Sequence, residues 1–270
     1  MKVLYAAAEI SPFARMTHTA DLLRFLPASL QDKGYDIRIL LPKFGTINDR
    51  RNRLHEVIRL SGIEVEVGDN IESMRIKVAS IPNAKLQVYF LDNDKYFNRK
   101  ALFMEPDTGE HYEDNDERLV FYNKGVLETV IKLGWKPDII HCHDWPSGLI
   151  PLLIKQQYNE EALFENTRII YNIHHTENHG IFDETILDLL DLSESVDLDQ
   201  LIEDGKVDLR KLGLQFSDHV VTGNRLKDQL DSEFEAMGLE PTKIQGSPET
   251  VSDKFAQYYD DIASSSEEED

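Results

Sequence analysis

Hydrophobic positions along the chain form short β-rich runs that alternate with stretches of helical periodicity. Short apolar runs predict buried strands, and apolar residues three or four positions apart predict helices. The predicted strands are Lys2–Ala8, Asp36–Leu41, Leu86–Leu91, Asp138–His141, Thr167–Ile173 and Asp218–Thr222. The predicted helices are Ala20–Lys33, Asp116–Leu133, Trp145–Gln157 and one that begins at Asn224.

Two segments depart from this alternation. Leu54–Ile81 has the pattern of a β-hairpin, with the turn supplied by the residues VEVGDN. Asp183–Leu209 is acidic and leucine-rich, which predicts short helices inserted between the last two strands. Elsewhere strands and helices alternate, which predicts parallel βαβ units. The expected fold is therefore α/β: a single Rossmann-like, doubly wound domain with a mainly parallel sheet.

Three of the predicted strands run into loops that are rich in polar side chains. The loops are Glu9 to Thr19, His141 to Trp145 and His174 to Gly180, and the last two hold five of the nine histidines. Ligands of a doubly wound sheet bind outside the carboxyl ends of its strands. We therefore expect the three loops to surround one cleft.

The histidine-rich loops raise the question of a metal site, because imidazole and carboxylate groups suit zinc and other transition metals. The sequence has neither an HExxH motif nor a cysteine pair, and polar clusters at strand ends commonly serve ordinary ligands. We therefore predict no bound metal. The single cysteine, Cys142, lies between two histidines on a predicted strand, where alternate side chains point to opposite faces. We expect it in the core and not as a nucleophile.

The first loop has no glycine, although glycines let backbone N–H groups approach a pyrophosphate. It does contain Arg15, whose guanidinium suits a phosphate. The alternative is that Arg15 is an ordinary surface arginine, and the sequence leaves the two interpretations open.

The chain of 270 residues has a formal net charge of −21. Residues 1–100 hold 16 basic and 12 acidic groups (+4), and residues 101–270 hold 13 and 38 (−25), so most of the negative charge accompanies the histidine-rich loops. Such a charge disfavours nucleic acid and anionic membranes as partners. No stretch approaches the roughly 18 apolar residues of a membrane span, and the opening residues lack a signal-peptide pattern. We expect a cytoplasmic protein without a cofactor.

Five segments, in this order, resemble the bacterial glycogen synthases and plant starch synthases. They are MKVLYAAAEISPFARMTHTADLL, LDNDKYFNRKALF, YEDNDERLVFYNKGVLE, HCHDWPSGLIPLLIK and IIYNIHHTENHGIF. Together they cover roughly residues 1–225, and HxHDWxxGLxP and DNDER are the more specific motifs. The resemblance implies the N-terminal half of a GT-B glycosyltransferase. Its family moves glucose from ADP-glucose or UDP-glucose to the end of an α-1,4-glucan.

The resemblance also implies roles for individual residues. His174 stands at the family's active-site histidine. The positions implied to face substrate are Glu9, Arg15, Asp21, Tyr96, His143, Asp144, Trp145, His175 and His179. The N-terminal half of the family mainly binds the acceptor glucan, and its Lys-x-Gly-Gly loop lies beneath the nucleotide sugar.

The sequence departs from the family pattern at positions expected to face the cleft. Arg15 replaces the family lysine, Thr17 and His18 replace its two glycines, and Thr19 replaces its leucine. In the third loop His175 and His179 replace an asparagine and a glutamine. Side chains at 17 and 18 would stand where the backbone should approach the donor. These departures indicate a retained scaffold with an altered site.

We predict a synthase-like domain over residues 1–240, a closing segment over 241–258 and an acidic, disordered tail over 259–270. About fifty residues follow the last predicted strand, which is too few for a second Rossmann-like domain. The expectation is a chain without the donor-binding domain of the family.

Three functional hypotheses follow. The first is a non-catalytic synthase-like protein that binds α-glucan or a small sugar, or that regulates a partner. The second is a glucosyltransferase completed by a partner chain or a homo-oligomer, with Arg15 in the role of the loop lysine. The third is a metal-assisted activity at the histidine-rich loops, through His143, Asp144, His174, His175 and His179.

Overall fold

The computed structural model describes every residue except 83, 85, 176, 178, 194–195, 224–225, 227–229 and 268–270, and the side chains of 265–267 are also left undescribed. Its main element is a ten-stranded sheet with the order β13-β12-β8-β7-β1-β2-β6-β5-β3, in which β4 also pairs with β5. The strands of this sheet are β1 (Lys2–Ala6), β2 (Asp36–Pro42), β3 (His55–Glu56), β4 (Ile63–Val67), β5 (Asn70–Ser80), β6 (Gln87–Asp92), β7 (Ile139–His143), β8 (Arg168–Ile173), β12 (His219–Thr222) and β13 (Thr242–Lys243).

Helices cover both faces of this sheet. They are α1 (Thr19–Asp32), α2 (Asp49–Asn52), α3 (Asp94–Phe97), α4 (Asn115–Leu133), α5 (Leu149–Gln156), α6 (Leu209–Phe216), α7 (Asp231–Ala236) and α8 (Pro248–Glu267). None of the described helices combines the length and the apolar character that crossing a membrane would require.

The central strands confirm the predicted α/β class with a mainly parallel sheet. β1 pairs in parallel with β2 and β7, β7 pairs in parallel with β8, and β8 with β12. The residues of β1 and β8 are almost entirely buried, since helices cover both faces, and this is why they read as continuous apolar runs. Parallel pairing brings the carboxyl ends of β1, β7 and β8 to one edge of the sheet. The three polar loops therefore meet, as the sequence predicts.

The predicted hairpin is confirmed, and one insertion differs from its prediction. β4 and β5 pair antiparallel up to Val67 and Asn70, around the VEVGDN turn. Asp183–Leu209, predicted as short helices, contains short 3-10 turns but also a three-stranded sheet of β9 (Ile181–Asp183), β10 (Ile202–Glu203) and β11 (Lys206–Asp208). Asp204 and Gly205 adopt positive φ between β10 and β11, which lets the chain turn tightly there. The predicted start of a helix at Asn224 lies outside the described residues.

Helix α8 continues beyond residue 258, where we expected a disordered tail to begin. Tyr259 and Ile262 are both buried in the core, so the helix packs on the domain past that boundary. Side chains of α1 and the residues after it hold it, through a bond of 2.6 Å between the hydroxyls of Ser29 and Ser252 and an ion pair between Lys33 and Asp253. The division of the chain at residue 240 stays a prediction.

Tyr259 anchors α8 to the floor of the sheet. Its hydroxyl lies 2.8 Å from that of Tyr5 on β1 and 2.6 Å from Nδ1 of His141 on β7. The ring of Phe255 lies 5.3 Å from the His141 ring. Burial lowers the pKa of His141 well below its ordinary value, so this imidazole is neutral. His141 is thus a core residue beneath α8 and does not face the cleft.

We expect Tyr259→Phe to lower the free energy of unfolding by about 1–3 kcal/mol, because it leaves Tyr5 and His141 without a buried partner. The control is Tyr258→Phe, which removes a hydroxyl from the adjacent, partly exposed tyrosine. Urea unfolding of both variants measures the difference. An equal loss in the two variants would show that the buried hydroxyl does not anchor α8.

Candidate functional site

Glu9 organises the first loop from within. Its side chain is 4% exposed, and one carboxylate oxygen accepts hydrogen bonds from the backbone N–H groups of Met16 and Thr17, each at 2.7 Å. The other oxygen accepts from the Thr17 hydroxyl at 2.5 Å. Three hydrogen bonds to one buried carboxylate fold the loop back over the end of β1. Glu9 thus lies at the cleft and also stabilises the first loop.

The two interpretations of Arg15 are distinguished by its partner. Its guanidinium lies 2.8 Å from the carboxylate of Asp21, and both side chains are more than half exposed. Asp21 also accepts a hydrogen bond of 2.7 Å from the Ser11 hydroxyl. Arg15 is therefore paired at the surface, and it lines neither of the two cavities described below. This geometry favours the surface arginine over the phosphate ligand.

Thr17 and His18 adopt conformations that suit side chains. Neither has a positive φ, and His18 is in the right-handed helical region with φ −75°. The Thr17 hydroxyl accepts the backbone N–H of Thr19 at 3.1 Å, at the start of α1. The loop therefore carries no positive-φ strain at the two positions where the family pattern has glycine. Hydrogen bonds from its own side chains hold the loop in place.

The second loop turns sharply at Asp144, whose backbone has φ 55° and ψ −178°. This region is strained for any residue but glycine. The carboxylate compensates by accepting the backbone N–H of His174 at 2.8 Å, while the Asp144 N–H donates to the carbonyl of Asn172 at 3.0 Å. Burial raises the pKa of Asp144 above its ordinary value, and the hydrogen bond from His174 opposes that shift.

His143 and His174 form a buried imidazole pair. Nδ1 of His143 lies 2.9 Å from Nε2 of His174, and the rings stack with centroids 5.3 Å apart. The side chains are 2% and 7% exposed. Burial lowers the pKa of His174 to about 4 and that of His143 well below its ordinary value. At neutral pH both rings are therefore uncharged, and one donates its N–H to the other.

A hydrogen bond between the first and third loops was not foreseen from the sequence. The Thr19 hydroxyl lies 3.0 Å from Nε2 of His175. Both residues stand at positions that depart from the family pattern, where leucine and asparagine would make no such bond. The two departures compensate each other. Only the tertiary structure reveals this, because the residues are 156 positions apart.

The first cavity, of about 360 Å³, lies between the first loop and the segment before α4. Apolar side chains cover one part of it, including Leu102, Phe103 and Met104, and the half-buried Trp145 ring lies 4.8 Å from that of Phe103. Its polar lining consists of carboxylates, imidazoles and hydroxyls, and no described lysine or arginine contributes to it. These polar residues are Glu9, Thr17, Thr19, His143, Asp144, His175, Glu177 and His179.

The second cavity, of about 340 Å³, lies between the starts of α1 and α8 and the ends of β8 and β12. Asn172, His174 and Gly223 line it, whereas Asp144 and Trp145 do not. Thr19 and His175 line both cavities, so their hydrogen bond stands between the two. Of the other predicted site residues, Asp21 and His175 line this cavity with His174.

The structure places another predicted site residue, Tyr96, away from the cavities. Its side chain is fully buried between α3 and α4, and its hydroxyl donates to Glu117 at 2.9 Å. It lines neither cavity, because the short helix α3 turns it into the core. Cys142 is also fully buried, as predicted, and burial raises the pKa of its thiol.

Two residues with a part in the site were missed. Arg118 in the DNDER motif is fully buried, and its guanidinium donates to the carbonyls of Tyr96 and Leu102 and to the side chain of Asn115. It thereby fixes the segment that forms the apolar wall of the first cavity. His111 lies 6.0 Å from His179 between ring centroids. The position of His111 just before the DNDER motif was the only feature of the sequence that could have indicated it.

The described residues place no group of three or more histidine, cysteine, aspartate or glutamate side chains where they could share a metal ion. His143 and His174 are hydrogen-bonded to each other, and His175 is bonded to Thr19. The geometry therefore gives the metal-assisted hypothesis no support.

The buried histidines make stability depend on pH. The pKa of His174 is about 4 in the folded state and has its ordinary value of 6.5 in the unfolded state. Between pH 4 and pH 6.5 the unfolded state therefore binds more protons than the folded state. Stability must fall as the pH drops through this window. His141 and His143 add to the fall, and Asp144, whose pKa is raised, opposes it.

We expect His174→Gln to reduce the pH dependence of the unfolding free energy between pH 6.5 and 4 by up to about 1.4 kcal/mol per pH unit, the value for one proton. Urea unfolding at a series of pH values measures the slope. His55→Gln, on the exposed strand β3, removes one histidine outside the buried group and serves as the control. An unchanged slope in His174→Gln would contradict the neutral, buried imidazole.

Comparisons with known proteins bear on this geometry. The family described as the starch synthase catalytic domain matches residues 2–242. Glycogen synthase of Chlorobium limicola is 42% identical over 225 residues, which are 83% of this chain and 46% of the relative. That of Chlorobaculum tepidum is 40% identical over 230 residues, or 82% and 45%. The chain thus spans about half the length of these relatives.

Among solved structures, the catalytic domain of starch synthase IV from Arabidopsis thaliana, bound to ADP and acarbose, superposes with a TM-score of 0.75 at 24% identity. The match covers 91% of this chain and 51% of that one, and it shows that the two share a fold. The extent of the family match and the identity to the glycogen synthases together establish that this chain belongs to the family of glycogen and starch synthase catalytic domains.

Proposed function

We propose that this chain is a synthase-like domain that binds α-glucan or a small sugar in the first cavity and does not itself transfer glucose. The observation that carries the proposal is the chemistry of that cavity. It combines an indole face with carboxylates, hydroxyls and imidazoles, and no lysine or arginine among the described residues lines it. We assign the protein to the cytoplasm as part of the same proposal.

The cavity suits a sugar on two counts. The Trp145 and Phe103 rings provide apolar surface for the C–H face of a pyranose. Glu9 and Asp144 lie beside this surface and provide oxygen acceptors for hydroxyl groups. Apolar walls with a few polar groups that fix orientation are the usual make-up of a small-molecule site. The solved starch synthase IV domain, bound to acarbose as well as ADP, supports a saccharide as the ligand class.

The two cavities are poorly suited to binding a nucleoside diphosphate. Arg15, at the position of the family lysine, is paired with Asp21 at the surface. Burial keeps His143 and His174 uncharged, so these two imidazoles bring no positive charge. The formal charge of −21 adds long-range repulsion of an anion. Stabilising charge on the leaving group is commonly the largest part of catalysis, and these residues supply little of it.

The alternative is a working glucosyltransferase whose donor contacts come from another chain or from a homo-oligomer. Membership of the family favours it. It requires a nucleotide sugar to bind when the donor contacts are present. Nucleotide binding therefore distinguishes it from the proposal.

Calorimetry with maltoheptaose, maltose, ADP-glucose, UDP-glucose and ADP tests the proposal. We expect the two maltosaccharides to bind and the three nucleotides to give no heat of binding. A parallel assay for glucose transfer from ADP-glucose to glycogen should be negative. Transfer by the pure chain would overturn the proposal, as would nucleotide binding without sugar binding.

We expect Trp145→Ala to weaken maltoheptaose binding at least about tenfold, or about 1.4 kcal/mol, because the aromatic surface of the cavity is lost. Trp145→Phe retains a ring and should keep most of the affinity. Arg15→Ala, which removes a surface side chain that lines neither cavity, is the control and should leave binding unchanged. Equal affinity in wild type and Trp145→Ala would place the sugar elsewhere.

A further inference from the structure

A basic patch lies at the edge of the large sheet, away from both cavities. We call it the arginine patch, and it consists of residues 50–59, which comprise most of α2, strand β3 and the start of a 3-10 turn. Strand β3 is the last in the sheet order and pairs with β5 alone among the described strands. No residue of the patch lines the first or the second cavity. Its arginines, all exposed, are Arg50, Arg51, Arg53 and Arg59.

The backbone holds this patch in a defined shape. Arg53 adopts the left-handed conformation, with φ 55° and ψ 39°, and so ends α2 and turns the chain into β3. The N–H of Leu54 then donates to the carbonyl of Asp49 at 2.9 Å. At the start of α2 the side chain of Asn48 accepts the N–H of Arg51 at 2.8 Å. Because β3 is also paired with β5, the arginines before and after the turn project from one fixed segment.

The four arginines have no partners within the described part of the chain. None of their guanidinium groups makes a hydrogen bond or an ion pair there. The carboxylate of Asp49, just before them, already pairs with Lys43 at 3.0 Å and with Lys77 at 2.7 Å. Glu56 is the single acidic residue among residues 50–59, so the patch has a net charge of +3. The exposed Arg15, in contrast, is paired with Asp21.

An exposed apolar side chain stands within the patch. Ile58 is 83% exposed, more than any other large hydrophobic residue that the structure describes, and it directly precedes Arg59. A single exposed apolar residue is ordinary by itself. Arginine together with apolar side chains, however, is the composition in which protein interfaces differ from the rest of the surface. The combination indicates a surface that contacts protein.

The charges favour an acidic partner of limited length. The guanidinium fork matches a carboxylate with two parallel hydrogen bonds. Residues 101–270 carry a net charge of −25, so a long polyanion would also meet repulsive surface beyond the patch. Screening confines such effects to about 8 Å at physiological salt, so a short acidic segment meets the patch alone. Ile58 further requires an apolar contact, which a chain of phosphates does not offer.

We propose that the arginine patch is a docking surface for a short acidic segment of a partner protein. The carboxylates of that segment pair with the four arginines, and an apolar side chain between them packs on Ile58. This interaction goes beyond the sugar binding proposed for the first cavity. It does not depend on that function, because the patch and the cavity share no residue.

Fluorescence anisotropy of the full chain with a labelled peptide tests this surface. The probe is a blocked decapeptide of glutamate and aspartate that contains two leucines. We expect saturable binding that weakens as the salt concentration rises from about 50 to 300 mM. A second peptide with serine in place of both leucines should bind at least about threefold more weakly, because it offers nothing to Ile58.

Charge reversal within the patch has a matched control elsewhere. Arg50→Glu/Arg51→Glu should weaken binding of the leucine-containing peptide at least about tenfold. Lys132→Glu/Lys136→Glu changes the total charge equally at exposed positions and should leave affinity within about twofold. These lysines lie near the start of β2, whereas the patch follows the end of that strand. Arg59→Glu tests the same prediction if the first double variant does not fold, which circular dichroism shows.

The apolar contact has a control of its own. Ile58→Ser should weaken binding of the leucine-containing peptide at least about threefold and leave binding of the serine peptide unchanged. Ile71→Ser alters another exposed isoleucine, 63% exposed on β5 and outside the patch, and should change neither.

Four results would overturn the proposal. The first is the absence of saturable binding of the leucine-containing peptide, and the second is an equal loss of affinity in the two charge-reversed double variants. The third is tighter binding of a single-stranded oligonucleotide than of the peptide. The fourth is a dimer in sedimentation that Arg50→Glu/Arg51→Glu dissociates, since the patch would then serve a second copy of this chain. Calorimetry with maltoheptaose reports the first cavity separately, so failure here leaves the proposed sugar binding untouched.

Discussion

The hydrogen bond from the His174 backbone to the Asp144 carboxylate joins the ends of two parallel strands, and the geometry of the cleft depends on it. Asp144 holds a backbone conformation that is strained for any residue but glycine. Glycine would relieve the strain but would bring no acceptor. The carboxylate therefore compensates for its own backbone by fixing the next strand end. This sets His143 and His174 at 2.9 Å, where their burial keeps them uncharged.

Side-chain hydrogen bonds likewise explain how the first loop accommodates residues that differ from the family pattern. Thr17 uses its hydroxyl twice, toward Glu9 and toward the start of α1, and so replaces glycine flexibility with fixed bonds. Thr19 and His175 both differ from the family pattern, and they bond across the cleft. These side chains are mutually satisfied, which is typical of a stable site and not of a decaying one. The loop is closed, and what it has lost is the open backbone that a pyrophosphate would need.

Much of the fold was predictable because it rests on local pattern. Buried parallel strands read as apolar runs, and the order of elements implied the edge at which Glu9, Asp144 and His174 meet. Contacts between distant segments were not predictable. Tyr96 is buried against α4, where its hydroxyl bonds Glu117, and His141 is covered by a helix more than a hundred residues away. The acidic character of the last residues hid the apolar stripe of α8, which keeps Tyr259 in the core.

The surface of the protein is strongly charged, whereas the buried groups of its site are neutral or hydrogen-bonded. This difference bears on what can bind. The surface is strongly negative, mostly beyond residue 100. The buried groups at the strand ends are neutral imidazoles and hydrogen-bonded carboxylates. An anion would meet repulsion outside, and no lysine or arginine lines either cavity within the described part of the chain. A neutral polyol meets no such repulsion and finds many acceptors. Desolvation removes charge from His143 and His174, and this supports the proposal that a scaffold shared with the glycogen and starch synthases binds uncharged ligands here.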